Sequence, residues 1–200
     1  MARGRAAGYD EQRELILAQA AALFAQSGYP ATSMNQVAEA SGLSKATLYH
    51  YYRDKYALLV SIAEGHVDKL AALVAEVLAQ DLAPEQRLRT LIRRIVEEYA
   101  DAQHAHRVLT EDVRFLEPAD RHRILDQERQ VVQGFALAVA GLRPELAQAQ
   151  LATPMTMLLF GMINWMFTWL QPGGALDYDT LAPMVADLFL GGLPAVKTNA

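Results

Sequence analysis

The stretch that most restricts how this chain can fold runs from Thr32 to Leu58 and reads TSMNQVAEASGLSKATLYHYYRDKYAL. It holds two short helical patterns joined by a tight turn and followed by a longer one. Ser33 is placed to cap the first helix, with Gln36 three residues on able to reach back in a capping-box arrangement, and Thr32 is the alternative cap. Val37, Ala38 and Ala40 give that helix a small apolar face. Ser41-Gly42 ends it, because glycine enters the left-handed region without steric cost, and Leu43 fills the corner. Ser44 caps the second helix, in which Leu48 and Tyr52 fall four apart on the inward side. Lys45, Ala46, Thr47, Tyr49, His50 and Tyr51 are left for the other faces. This is a helix-turn-helix pattern. A DNA major groove admits one helix, whose N-terminal residues meet base edges while hydroxyl and cationic neighbours hold phosphates.

The rest of the chain repeats helical spacing, and no alternating strand pattern occurs, so the expected fold is all-α with about nine helices. Asp10 is the expected cap of a first helix with apolar positions Leu15, Ile16, Ala20, Leu23 and Phe24, ending at Ser27-Gly28. It completes a three-helix head. Asp54 caps a long fourth helix ending near Asp81, about 40 Å at about 1.5 Å per residue. Pro84 opens a fifth with the stripe Leu88, Leu91, Ile92, Ile95, Val96 and Tyr99, and a break is expected at His104 to Arg107. A short segment to Phe115 follows, then a helix from Pro118 to Gly141, one from about Glu145 to Leu170, and a last one from about Tyr178 to Leu190. Val196 to Ala200 reads as a frayed end. The expected division is a DNA-binding head at 1–55 and a ligand-binding and dimerising body at 56–200.

Composition narrows the function classes. The chain has no cysteine, which removes disulfides, thiolate nucleophiles and cysteine-ligated metals. MARGRAAGYD lacks the apolar segment of a signal peptide, so a cytoplasmic location is expected, with Arg3 and Arg5 as a candidate basic arm. Net charge is −5 overall, but residues 1–60 carry six Lys or Arg against five acids, +1, and the acid excess lies elsewhere. So weak a basic bias implies affinity from two linked heads rather than from bulk electrostatics. No nucleophile elbow, phosphate-cradling glycine loop or HExxH occurs, so no catalytic residue is assigned. His104 and His106, two apart, diverge on a helix, and no metal site is assigned. The run MTMLLFGMINWMFTWL is apolar nearly all round but shorter than the roughly 20 residues a bilayer core needs, so no membrane span is expected.

An apolar helix of that kind needs neighbours on two sides, and one protomer core supplies one. The other side is expected to meet a second copy, through Leu151, Met155 and Leu158 and, on the last helix, Leu181, Met184, Leu188 and Phe189. A body pocket suited to an acyl or aryl group is expected to be lined by Tyr99, Phe115, Phe135, Met162, Trp165 and Trp169, with Asn164 as a polar group among apolar neighbours.

Over roughly residues 10 to 60 the chain resembles the TetR family of bacterial repressors, whose signature runs A-G-x-S-x-x-T-L-Y-x-Y-F-x-x-K-x-x-L. Here it stands as ASGLSKATLYHYYRDKYALL, with Tyr52 for the usual phenylalanine and Tyr56 for the usual acidic residue. The resemblance implies a dimeric repressor of operator DNA, released by a small-molecule inducer. It implies Lys45, Ala46, Thr47, Tyr49 and His50 at the groove and Ser33, Ser44, Tyr51 and Lys55 at its edge and on phosphates. NWMFTWLQPGG, Asn164 to Gly174, is similar to the N-W-x-x-x-W-[YF]-[RK]-P-x-G stretch of the branch that responds to acyl-CoA thioesters, although Leu170 and Gln171 replace an aromatic and a basic residue. It implies an acyl-CoA or aryl-CoA inducer, such as a phenylacetyl thioester, with its phosphates near Arg107 and Arg114, and no cofactor. The alternatives are a multidrug- or aromatic-responsive repressor and, from another class, a helical enzyme or carrier that does not bind DNA.

Overall fold

The computed structural model describes residues 3–170 and 176–197, with side chains from residue 8 onward. Among these residues there is no strand; eleven α-helices and two short 3-10 turns account for the ordered backbone. The helices are α1 (Arg3–Ser27), α2 (Met34–Ala40), α3 (Lys45–Tyr51), α4 (Lys55–Leu78), α5 (Pro84–Asp101), α6 (Gln103–Glu111), α7 (Pro118–Leu142), α8 (Pro144–Gln148), α9 (Ala152–Ile163), α10 (Met166–Trp169) and α11 (Tyr178–Gly192). No helix among the described residues is long and apolar enough to cross a membrane.

The chain packs as two compact units, and their boundary does not follow the expected one between residues 55 and 56. The first unit takes Met1–His66 together with Ala102–Ile124; the second takes Val67–Asp101 and Leu125–Ala200. In the first, Ile16, Ala20 and Phe24 of α1 are buried with Val37, Leu48, Tyr52, Leu58 and Ile62. Helix α6 packs on α1 and buries Val108 and Leu109, which is why this later segment joins the N-terminal unit. In the second, α5 runs along α11, and Leu88, Leu91, Ile92 and Ile95 share one core with Phe135, Phe160, Val185 and Phe189. Gly134 of α7 allows a close approach there, since a Cβ would lie 2.2 Å from Val74 Cγ1 of α4.

Four expectations are corrected. Helix α1 starts at Arg3, so Asp10 is an interior residue and not its cap. The break after α5 falls at Ala102, and His104 to Arg107 lie inside α6. The single helix expected over 145–170 is three. Gln150 adopts φ 57, and Gln150 N–H and Leu151 N–H bond back to Ala147 O (3.0 Å) and Leu146 O (2.7 Å), a closure that ends α8. A second break lies at Asn164 and Trp165, between α9 and α10. Last, Leu181 and Phe189, expected at a dimer seam, are buried in their own protomer's core.

Candidate nucleic-acid interface

Local chemistry builds the α2–α3 corner. Ser33 takes an extended conformation (φ −111, ψ 156); its Oγ accepts from Gln36 N–H at 3.3 Å, and its own N–H donates to Gln36 Oε1 at 2.8 Å. The capping box expected from sequence is therefore formed, with Ser33, not Thr32, as the cap. Thr32 is buried and donates instead to Gly28 O at 3.0 Å, tying α2 to the end of α1. Gly42 sits at φ +67, and Gly42 and Leu43 N–H groups bond to Glu39 O and Ala38 O at 3.0 and 2.9 Å. That closure turns the chain into Ser44, whose Oγ accepts from Thr47 N–H at 3.0 Å and shares a hydrogen bond of 2.7 Å with Thr47 Oγ1.

Leu48 is fully buried and Tyr52 nearly so, which fixes the rotation of α3. Its outer side presents Lys45, Ala46, Tyr49 and His50 exposed, with Thr47 and Tyr51 half-buried. An exposed row with this mix, on a short helix capped at its N-terminus and held by one buried leucine, can enter a groove.

Lys55 behaves differently from the phosphate clamp expected of it. Its Nζ donates to Tyr29 O (2.7 Å), Pro30 O (3.1 Å) and Thr32 O (2.7 Å) and lies 4.5 Å from the Tyr29 ring centroid. All three ammonium donors are committed to the α1–α2 loop, and burial pushes its pKa down. Lys55 positions the loop. Two contacts that sequence reading missed flank α3. Tyr9 of α1 stacks on Tyr51 with centroids 4.8 Å apart, and Arg13 Nε donates to Tyr52 Oη at 3.4 Å. Arg3 and Arg5 fall within α1, and their side chains lie outside the described residues.

The expected ligand-binding residues are divided between the units. In the second unit Tyr99 Oη donates to Asn164 Oδ1 at 3.0 Å, and burial pushes the Tyr99 hydroxyl far above the usual phenol range. Phe135 meets Phe160 edge-on at 5.0 Å, and Met162 is half-buried. Trp165 and Trp169 do not face inward: they are 58% and 54% exposed, and Met166 between them fills the core. Gln171 to Gly174 lie outside the described residues. Arg107, Arg114 and Phe115 belong to the first unit. Arg107 pairs with Glu111 at 3.0 Å, while Arg114 lies over the Phe115 ring, which is tilted against Tyr29 at 5.5 Å. Phe115 is thus an exposed residue that packs on Tyr29 within the N-terminal unit. The second unit has a cleft of about 390 Å³ that uses none of the expected residues; its charged lining, Glu85, Arg89, Arg143 and Asp187, is engaged in ion pairs.

His66 and His106, forty residues apart, are both buried with His66 Nε2 3.4 Å from His106 Nδ1. No sequence spacing signals such a pair. No group of three metal-binding side chains occurs among the described residues.

Of the residues expected to meet a second copy, Leu158, Met184 and Leu188 are 63%, 48% and 68% exposed, and Leu151 and Met155 are half-buried. Met157, 54% exposed, was not anticipated and extends this apolar surface.

Known proteins share this architecture. The chain is similar to a TetR-family transcriptional regulator from Bordetella parapertussis 12822, with 34% identity, a TM-score of 0.85 and coverage of 92% of this chain and 97% of that one. It is 25% identical to the HTH-type transcriptional repressor KstR2 of Rhodococcus jostii (strain RHA1), over 93% of each chain. AibR in complex with isovaleryl coenzyme A and operator DNA has the same fold, with a TM-score of 0.75 at 24% identity over 88% of this chain and 97% of that one. Residues 16–62 match the model of the bacterial regulatory proteins of the tetR family, and residues 81–193 match that of the tetracyclin repressor-like C-terminal domain. With both parts of the chain matched, and the α2–α3 corner lying within the first matched segment, the protein belongs to the TetR family and is a transcriptional regulator, not an enzyme.

Proposed function

We propose that this regulator is a homodimeric repressor that reads operator DNA through α3 and is released by an acyl-CoA or aryl-CoA thioester bound in its second unit. The observation that carries the DNA half is the α3 surface: Lys45, Ala46, Tyr49 and His50 exposed on a helix whose only buried residue is Leu48. Tyr49→Ala should weaken operator binding by about 1 to 3 kcal/mol and relax base preference at its position. Binding of Tyr49→Ala to operator with wild-type affinity would remove α3 from the groove.

Dimerisation is supported by Met157 and Leu158 on α9 and Met184 and Leu188 on α11. These two helices pack on each other and leave large apolar side chains exposed that a second copy would cover. Two heads must then meet successive major grooves about 34 to 36 Å apart or at a multiple of that.

The inducer class is supported by the NWMFTWLQPGG resemblance, by the Tyr99–Asn164 bond in an apolar core, and by the isovaleryl coenzyme A bound to AibR, a protein of the same fold. By linkage, a ligand that favours the DNA-incompetent state by about 3 kcal/mol lowers operator affinity roughly 150-fold. The test is release of a labelled operator complex by CoA thioesters, the matching free acids and aromatic drugs. Release by thioesters alone supports the reading. Release by acids or drugs with thioesters inert assigns the protein to the aromatic-responsive class.

A further inference from the structure

Tyr9 and Arg13 lie one turn apart on α1 and so share a helix face. That face is applied to the far end of α3: the Tyr9 ring stacks on Tyr51 at 4.8 Å and 23°, and the Arg13 guanidinium bonds to Tyr52 Oη and lies 5.5 Å from the Tyr52 ring centroid. We infer that α1 supplies a second wall of the DNA interface, in which Arg13 binds a backbone phosphate and Tyr9 is a positioning residue that holds Tyr51 against the same strand. The inference rests on the DNA-binding reading above.

Charge accounting leads to Arg13. Between Gly8 and Lys55 the cations other than histidine are Arg13, Lys45, Arg53 and Lys55. Lys55 has all three donors on carbonyls, and the charge of exposed Arg53 is offset by the adjacent carboxylate of Asp54, 3.2 Å from its Nε, whereas the partner of Arg13 is a neutral hydroxyl. DNA affinity depends on exchanging counterions for protein cations, so Lys45 at the start of α3 needs support. Arg13 is exposed and commits only Nε among the described residues, which leaves its terminal nitrogens for the planar, two-pronged contact that suits a phosphate. The Tyr52 hydroxyl gains a purpose in this arrangement. Tyr52 is 4% exposed, so its ring serves the core as phenylalanine would, while its oxygen reaches out to anchor Arg13.

Tyr9 contributes order. Tyr51 ends α3, where a recognition helix has left the base edges for the backbone. A half-exposed tyrosine there would lose rotamer freedom on binding, and the stack removes much of that cost beforehand. Tyr9 itself remains 44% exposed, so the pair is a feature of the surface rather than of the core.

The experiment uses the full chain, a duplex selected by the wild type from a random-sequence pool, and a shuffled duplex, titrated between about 50 and 200 mM salt. Arg13→Ala should lower the slope of log affinity against log salt by about 0.9 for each engaged head, on both duplexes. Tyr9→Phe keeps the stack and should bind as wild type does, whereas Tyr9→Ala should bind about three- to tenfold more weakly. In a Tyr51→Ala background, Tyr9→Ala should cost nothing further. Unchanged thermal melts confirm that these surface variants fold. An unaltered slope for Arg13→Ala, or the same Tyr9→Ala loss with Tyr51 removed, overturns the inference while the DNA reading stands. A wild type that selects no duplex overturns both.

Discussion

The corner between α2 and α3 and the corner between α8 and α9 are closed by the same pair of backbone hydrogen bonds, one spanning three residues and one spanning five. The residue at the left-handed position differs: Gly42 at φ +67 in the first, Gln150 at φ 57 in the second. The surroundings differ as well. The first corner sets an exposed polar row on α3 over a buried Leu48, whereas the second leads into α9, where buried Leu159 and Phe160 lie beside exposed Met157 and Leu158. One corner presents a largely polar surface, which can be complete in one protomer. The other leaves the apolar side chains of Met157 and Leu158 exposed, the area that the proposed second copy would cover.

The sharpest way to break that contrast lies on α11, where neighbouring residues do opposite things. Phe189 is 6% exposed in the core and Leu188 is 68% exposed. Phe189→Arg should cost more than about 4 kcal/mol, because it buries an unpaired charge and removes a core ring, and soluble folded protein should be lost. Leu188→Arg should leave the melting temperature of the protomer nearly unchanged and convert a dimer to monomers in analytical ultracentrifugation. A Leu188→Arg protein that remains dimeric at micromolar concentration would move the seam away from α11.

These two neighbours also mark how far the sequence could be read. Helix α11 and its stripe were legible, but Leu181, Met184, Leu188 and Phe189 look alike in a pattern of apolar residues, and only packing sorts them into buried and exposed. The α2–α3 corner was legible nearly residue by residue because its signals are local: a capping box, a glycine, a serine cap. The three-part α8–α10 segment was not, because glutamine gives no sign of a left-handed conformation and the apolar run masks its own breaks. The intramolecular partners of Lys55 were not legible for a related reason. Its three carbonyl partners come from the loop near Pro30, about 25 residues back, and no composition rule points to backbone acceptors. The pairing of Tyr9 and Arg13 with α3 went unseen because α1 was expected to start at Asp10, which left Tyr9 outside any helix.

A middle-sized effect is expected where α4 and α7 approach in the second unit. A methyl at Gly134 would meet Val74 Cγ1 at 2.2 Å and Leu78 Cδ1 at 3.3 Å, and a β-branched valine has little freedom to turn aside. Gly134→Ala should therefore destabilise by about 1 to 3 kcal/mol despite alanine's better helix propensity. Chemical denaturation measures it, and a stabilised Gly134→Ala protein would show that α7 can shift away from α4 at little cost.

The smallest effect tests the two corners directly. An L-residue in the left-handed region costs about 1 to 2 kcal/mol, while glycine loses about 0.5 to 1 kcal/mol more backbone entropy on folding than alanine does. At Gly42 the left-handed cost outweighs the entropy that alanine saves, and nothing lies within 4 Å of where its Cβ would stand, so Gly42→Ala should destabilise by about 0.5 to 1 kcal/mol through conformation and not through a clash. At Gln150 the two terms oppose each other, and Gln150→Gly should stabilise by only about 0.5 kcal/mol, a rise in melting temperature of about 1 to 2 °C. The sign is the informative part. If Gln150→Gly lowered the melting temperature, the glutamine side chain would be contributing more than its backbone strain costs, and the second corner would be held by its side chain where the first is held by the freedom of glycine.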